Sequence, residues 1–297
     1  MTVKLNALFT IFALTLALTG CAGPRSAPAA EIPACDGSPI PRYPNAPHQT
    51  WVIAFDRSTS YPVAVREAGQ REAADLIDGL VRPGAGATIH ILFIGRNSYD
   101  PENSLPAIVV PSVRPAAEPP PPPTPPGNRF DPRERKRYEE AVRAWCDGIR
   151  AEAERVEREL AAAAEQVRVR TDGLRHHRVR HEDGSDFCSI VIRAEERFTN
   201  ALDGSFRRLF WYSDMEPYGY QGCNLDRLPL LSGVEVIISH WYCPSAALCQ
   251  RLRAAWNERF AAAGAASVRW YAVGEPLPKE EILAVPAAPI MTVAGSR

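Results

Sequence analysis

The chain has 297 residues, of which 45% are hydrophobic and 23% are charged, a composition typical of folded globular proteins that excludes a wholly disordered or fibrous one. Its 34 Lys and Arg balance 35 Asp and Glu, which gives a net charge of −1. The chain therefore has no excess of positive charge for binding nucleic acid, and no nucleic-acid partner is expected. Proline is abundant, with 28 residues, which must lie mostly outside core helices and central strands.

The N-terminal segment has the pattern of an export signal. An apolar run over residues 5–18 follows Lys4 and is too short for a comfortable membrane span. The next residues, Leu18-Thr19-Gly20-Cys21, resemble the lipobox of bacterial lipoproteins. The alternative is a plain secretory signal with a coincidental cysteine.

The lipobox resemblance implies a cleaved signal peptide over residues 1–20 and a lipid, such as palmitate, on Cys21. Because Ala22 rather than Asp follows Cys21, it further implies an outer-membrane lipoprotein facing the periplasm. The predicted location is therefore the cell envelope, with contact to the membrane through the N-terminal lipid.

The remaining cysteines are even in number, and the envelope is oxidising, so disulfides are predicted. They are Cys35, Cys146, Cys188, Cys223, Cys243 and Cys249. Sequence alone leaves fifteen pairings open for six cysteines. We expect Cys223 to pair with Cys243 or Cys249. Cys223 and Cys243 both follow strands at the same edge of the predicted sheet, and Cys249 lies one helical turn beyond Cys243.

The first half of the chain alternates strands and helices after a proline-rich tether at residues 21–49. A buried strand is predicted at residues 51–55 and an amphipathic helix at 62–80. Two further strands are predicted at residues 88–94 and 105–110.

A proline-rich spacer at residues 115–127 precedes a long charged helix at 132–168. The spacer contains five consecutive prolines, Pro119 to Pro123, and could also be a ligand for an SH3-type domain. Residues 169–182 contain His176, His177 and His181 among several arginines. We interpret them as a solvated basic connector rather than a metal site, because neighbouring arginines repel a cation.

The second half continues the alternation. A helix is predicted at residues 186–202 and another at 244–262. Strands are predicted at residues 209–212, 234–238 and 268–273, and residues 276–297 are expected to form a flexible tail. The order predicts one α/β domain over residues 50–275 with a mainly parallel sheet, whose ligand site lies at the carboxyl ends of the strands.

The first strand ends in Asp56-Arg57-Ser58-Thr59-Ser60, which has the form D-x-S-x-S. Three oxygen-bearing side chains thus share one turn between a buried strand and a helix. Hard divalent cations favour such oxygen ligands.

This motif resembles the ion-binding turn of the von Willebrand factor A (vWA) domain. In that family a hydroxyl residue before a later helix and an aspartate after a neighbouring strand complete the site. Ser185 and Asp214 occupy those places here, although Thr59 and Met215 stand where the family has glycine.

The resemblance implies a vWA/Rossmann-like three-layer sandwich that binds Mg²⁺ or Mn²⁺. The implied ion ligands are Asp56, Ser58, Ser60, Ser185 and Asp214. It also implies a protein partner that presents an acidic side chain to the ion. Tyr218 and Tyr220, in a loop with proline and glycine, are expected to be exposed on an aromatic rim for such a partner, the alternative being that they pack within their loop.

The predicted function is therefore that of a lipid-anchored binding protein, not an enzyme, with no catalytic residues. One alternative is a structural envelope lipoprotein with an ion-free site, in which Arg57 neutralises the carboxylates. Another is a metal-dependent hydrolase. Phosphohydrolases with such a turn need a second aspartate two residues after the first, and Ser58 stands there.

Overall fold

The computed structural model describes residues 35, 46–114, 121–127, 131–219 and 221–284. The predictions for the signal peptide, for Cys21, for Tyr220 and for most of the tether lie outside these residues. No helix within them is long and apolar enough to cross a membrane.

In the described part of the chain, one sheet holds six strands in the order β3-β2-β1-β4-β5-β6. The strands are β1 (Gln49–Asp56), β2 (Ala87–Ile94), β3 (Ile108–Val110), β4 (Phe206–Tyr212), β5 (Glu235–Trp241) and β6 (Ser267–Ala272). All neighbours are parallel except β3, which is antiparallel to β2 at one end of the sheet. The central strand β1 is buried along its whole length, as its apolar run predicts.

Helices cover both faces of the sheet. They are α1 (Val63–Asp78), α2 (Pro132–Arg175), α3 (Phe187–Thr199), α4 (Ala246–Ala262) and α5 (Lys279–Leu283). Alternate residues of β1 enter two separate cores: Trp51 and Phe55 pack with α1, α2 and α5, whereas Val52 and Ala54 pack with α3 and α4. The predicted α/β class and mainly parallel sheet are confirmed.

Helix α2 extends beyond the predicted end at residue 168 and absorbs the first part of the basic segment. Contacts with α1 explain the extra two turns: the Thr171 hydroxyl donates to Asp78 at 2.7 Å, Arg175 forms ion pairs with Asp75 and Asp78, and Leu174 is fully buried. The prediction of a solvated connector from residue 169 was therefore wrong up to Arg175.

Part of the predicted flexible tail is folded. Helix α5 places Ile282, which is fully buried, into the same core as α1. The buried Arg208 of β4 donates hydrogen bonds to the Ile282 carbonyl and, at 3.4 Å, to the Ala284 carbonyl. The tail therefore does not begin at residue 276; residues 285–297 lie outside the described part.

The described cysteines form three disulfides: Cys35–Cys146, Cys188–Cys223 and Cys243–Cys249. The expected pairing of Cys223 with Cys243 or Cys249 was wrong. The loop after β4 folds back onto the start of α3, where the Gly222 N–H donates to Asp186 at 2.9 Å. This contact brings Cys223 to Cys188 in the first turn of α3.

Candidate functional site

The two candidate ion-binding carboxylates lie at one edge of the sheet because β1 and β4 are parallel neighbours. Phe55 pairs with Tyr212 in the register, so Asp56 ends β1 next to the point where Asp214 follows β4. Asp56 is fully buried and Asp214 is 4% exposed. We call this edge the carboxyl edge.

Asp56 is held in place by hydrogen bonds to both carboxylate oxygens. The Ser58 N–H donates to Oδ1 at 2.8 Å, and the Ser213 hydroxyl donates to Oδ2 at 2.6 Å. The first bond is an Asx turn, which closes the loop after β1. The second makes Ser213 part of the site; sequence reasoning missed it, although its place directly before Asp214 is the available signal.

A chain of hydroxyl groups links the D-x-S-x-S turn to Asp214. The Ser60 hydroxyl donates to Asp214 Oδ2 at 2.8 Å and lies 3.0 Å from the Ser58 hydroxyl oxygen. The other oxygen of Asp214 accepts from the Glu216 N–H at 3.0 Å. Hydrogen bonds therefore join the turn after β1 directly to the loop after β4.

Ser185 lies at the same edge but is not hydrogen-bonded to the other candidate ligands. Its N–H donates to the Tyr218 carbonyl at 2.8 Å, and the next residue, Asp186, donates its N–H to the carbonyl of Gly95, directly after β2, at 2.8 Å. The Ser185 hydroxyl is buried and has no hydrogen-bond partner in the described part of the chain. A buried hydroxyl in this state costs free energy unless a ligand satisfies it.

Burial favours the protonated forms of the two carboxyl groups. Burial raises the pKa of Asp56 to about 7, helped by the charge of Asp214 and opposed by the hydrogen bonds from Ser213 and Ser58. Burial likewise raises the pKa of Asp214, against the hydrogen bonds from Glu216 and Ser60. A nearby cation would reverse this preference.

Arg57 does not neutralise the site carboxylates, so that form of the ion-free alternative was wrong. Its guanidinium forms an ion pair with Glu182, which also accepts from the Arg96 N–H at 2.9 Å. Burial lowers the pKa of Arg66, and the nearby charge of Asp56 partly opposes this lowering. Arg66 makes no hydrogen bond to either site aspartate among the described residues.

Met215 occupies the place of the family glycine and keeps a glycine-like backbone, with φ of 61°. Its side chain is fully buried in the core on the α3 and α4 face. Two indole groups fix the loop: Trp256 donates to the Met215 carbonyl at 2.8 Å, and Trp241 donates to the Asp214 carbonyl at 3.2 Å. Core packing and these two hydrogen bonds therefore hold Asp214 in place, although Met215 stands where the family has glycine.

The three histidines of the basic segment are dispersed rather than clustered. His177 stacks on Phe93, His176 Nδ1 lies 2.9 Å from the Asp172 carbonyl, and His181 Nδ1 lies 3.4 Å from the Arg66 guanidinium. Within the described ranges, no group of three or more His, Cys, Asp or Glu side chains is arranged to hold a metal. The candidate ion site is not of this kind, since it has only two such side chains, Asp56 and Asp214, and its other three candidate ligands are serines.

Comparison with known proteins finds no matching family model and no matching curated protein. Among solved structures, a von Willebrand factor type A protein from Catenulispora acidiphila is similar, with 14% identity over 80% of this chain and 41% of that one and a TM-score of 0.36. The pilus adhesin SpaC from Lactobacillus rhamnosus GG, in its open conformation, has 9% identity over 82% of this chain and 30% of its own, with a TM-score of 0.41.

The chain has the three-layer α/β sandwich that the vWA resemblance of its Asp56 turn implies. It spans less than half the length of either similar structure, and similarities of this size say nothing about what it binds. The order of its sheet and the two helical layers carry the fold assignment. Its carboxyl edge carries the Asp56 turn and the Asp214 loop on neighbouring strands.

Proposed function

We propose that this protein is a binding module of the bacterial cell envelope that uses a divalent ion at the carboxyl edge of its vWA-like domain. One observation carries the proposal: two buried carboxyl groups, Asp56 at the end of β1 and Asp214 just after the neighbouring strand β4, are linked by hydrogen bonds through Ser58 and Ser60. Two such carboxylates repel each other unless a cation lies between them.

The donor atoms fit a hard divalent cation. The candidate site offers carboxylate and hydroxyl oxygens only, the ligands that Mg²⁺ and Mn²⁺ prefer, and the hydroxyls add donors without adding charge. Asp56, Ser58, Ser60, Ser185 and Asp214 would hold the ion. The unpartnered hydroxyl of Ser185 supports its place among them.

The five candidate ligands would leave one of the six positions of an octahedral ion open, and a carboxylate oxygen is a ligand that such an ion prefers. We therefore propose a protein partner that presents an acidic side chain to this edge. Tyr218 and Tyr242 are 66% and 40% exposed, and Tyr218 bonds to Ser185 through its backbone. Exposed tyrosines next to a charged site are typical of protein-recognition surfaces.

The proposed role is binding rather than catalysis. The Ser58 and Ser60 hydroxyls bond to each other and to Asp214. Among the described residues, no histidine bonds to these serines or to Ser185, so none of the three is activated by an imidazole base.

Magnesium or manganese should raise the melting temperature of the full chain, purified in detergent, because a ligand that binds only the folded state stabilises it. Asp56→Ala should abolish this rise. The matched control is Asp203→Ala, which removes an exposed carboxylate in the turn after α3 and should leave the rise intact. Identical melting curves in chelator and in excess Mg²⁺ would favour the structural lipoprotein with an ion-free site.

Anchoring through Cys21 is a separate part of the proposal. The pairing of every described cysteine in a disulfide supports export to an oxidising compartment. Cells fed labelled palmitate should incorporate it into the wild-type protein and not into Cys21→Ser. A Cys243→Ser/Cys249→Ser variant, which loses other cysteines, should still be labelled. Equal labelling of wild type and Cys21→Ser would refute the anchor.

A further inference from the structure

A basic cleft of about 670 Å³ lies between α1 and the residues that follow α2. Its cationic and imidazole lining groups are Arg66, Arg71, Arg175, His176, His177 and Arg178, whereas Glu67 is the acidic group among its lining residues. The cleft therefore has a strong excess of positive charge in a protein whose net charge is −1.

Within the described chain, most of these arginines form no ion pair with a carboxylate. Arg175 is balanced, since it forms ion pairs with Asp75, Asp78 and Asp172. Arg66, Arg71 and Arg178 form no ion pair with any described residue.

Arg66 is the unusual member of the group. It is only 2% exposed, yet its Nε and Nη1 atoms have no hydrogen-bond partner within the described chain. Its Nη2 atom donates to the Tyr61 carbonyl at 3.3 Å. A buried guanidinium with unsatisfied donors is costly unless something else pairs with it.

We propose that the basic cleft binds a phosphate-bearing ligand, at a site separate from the ion site. A phosphate group combines close to two negative charges with three acceptor oxygens, and the planar guanidinium fork of arginine matches it with paired hydrogen bonds. Arg71 and Arg178, both exposed, supply the outer contacts, and Arg66 supplies charge from the inner wall. The cleft volume is in the range of small-molecule sites and admits more than a single phosphate.

Two sources could supply the phosphate, a free phosphate ester or a lipid headgroup, and two arms of one experiment distinguish them. The full chain in detergent is titrated with inorganic pyrophosphate in the presence of EDTA, which removes divalent ions from the Asp56 site. In the second arm the detergent micelles contain phosphatidic acid or, as a control, phosphatidylcholine. Melting temperature and heat of binding are measured in both arms.

Binding in the first arm assigns the cleft to free phosphate compounds, and stabilisation by phosphatidic acid alone assigns it to lipid headgroups. Arg71→Gln/Arg178→Gln should weaken either interaction tenfold or more without unfolding the protein, since both side chains are exposed. Arg158→Gln, an exposed arginine of α2, is the matched control and should bind like wild type. The EDTA in the pyrophosphate titration separates this proposal from the ion site.

No response in either arm would overturn the proposal. So would a response that sodium sulfate at equal ionic strength reproduces in both wild type and Arg71→Gln/Arg178→Gln, because it would be a general salt effect.

Discussion

At position 56, burial and a neighbouring carboxyl group both favour the protonated side chain, which makes the stability of the ion-free protein depend on pH. The folded-state pKa is about 7, above the ordinary value of 3.8, so the folded protein holds a proton that the unfolded chain has released. This contribution to stability is fully present below about pH 4 and is lost as the pH rises through about 7. It amounts to at most about 4 kcal/mol.

In chelator, we therefore expect the melting temperature of the wild type to fall relative to that of Asp56→Asn as the pH rises from about 4 to about 7. The comparison is needed because partly buried histidines such as His90, whose pKa burial lowers to about 4, act in the opposite sense in both proteins alike. The amide of Asp56→Asn keeps the shape of the side chain and does not titrate, so the difference between the two proteins reports Asp56. Asp203→Asn, at an exposed position, should follow the wild type. A difference between wild type and Asp56→Asn that stays constant over this interval would show that the pKa of Asp56 is not raised in the folded protein.

Among single residues, those that carry a sequence motif could be predicted and those fixed by long-range packing could not. Asp56 and Asp214 could be placed because each follows an apolar strand, and parallel neighbours end at the same edge. Arg66 looks in the sequence like one polar residue of an amphipathic helix. Its burial depends on the end of α2 and the segment after it, which lie more than 100 residues further along the chain.

Among whole elements, local periodicity predicted the main strands and helices, but the ends that depend on partners were misplaced. Strand β1 and helix α3 carry apolar patterns strong enough to locate them. The last two turns of α2 are polar in sequence and are held by ion pairs to α1. Helix α5 has only five residues, too few for a helical period to show.

The packing of helix α5 into the core can be tested by mutation. Ile282→Ala should destabilise the protein by about 2–5 kcal/mol, because it leaves a cavity in a core shared with α1 and β1. Glu280→Ala, at an exposed position two residues before Ile282, should change stability by less than about 0.5 kcal/mol. Urea unfolding of the three proteins measures both values. If the two variants were equally stable, residues 276–284 would behave as the flexible tail that the sequence suggested.

For the molecule as a whole, the disulfides connect segments that the sheet does not. Cys35, which precedes β1, is bonded to Cys146 on the long helix α2, 111 residues later. Cys188–Cys223 holds the loop after Asp214 against α3, beside the candidate ion site. If Cys21 carries a lipid, the 14 residues up to Cys35 limit the span from the membrane to Cys146 to about 50 Å.

The three disulfides close loops of very different length, and this difference predicts the order of their effects. In the chain-entropy account, removal of Cys243–Cys249, which are 6 residues apart, should cost about 2 kcal/mol. Removal of Cys188–Cys223, which are 35 residues apart, should cost between about 3 and 4 kcal/mol. Removal of Cys35–Cys146 should cost most, close to about 5 kcal/mol.

Paired Cys→Ser variants, unfolded in urea without reductant, provide these three values against the wild type. The matched design leaves the other two bonds intact in each variant, so each difference in the free energy of unfolding reports one loop. Equal losses, or a larger loss for Cys243→Ser/Cys249→Ser than for Cys35→Ser/Cys146→Ser, would contradict the loop-length account. The bonds would then act through local packing in the folded state, because the constraint on the unfolded chain must grow with the length of the closed loop.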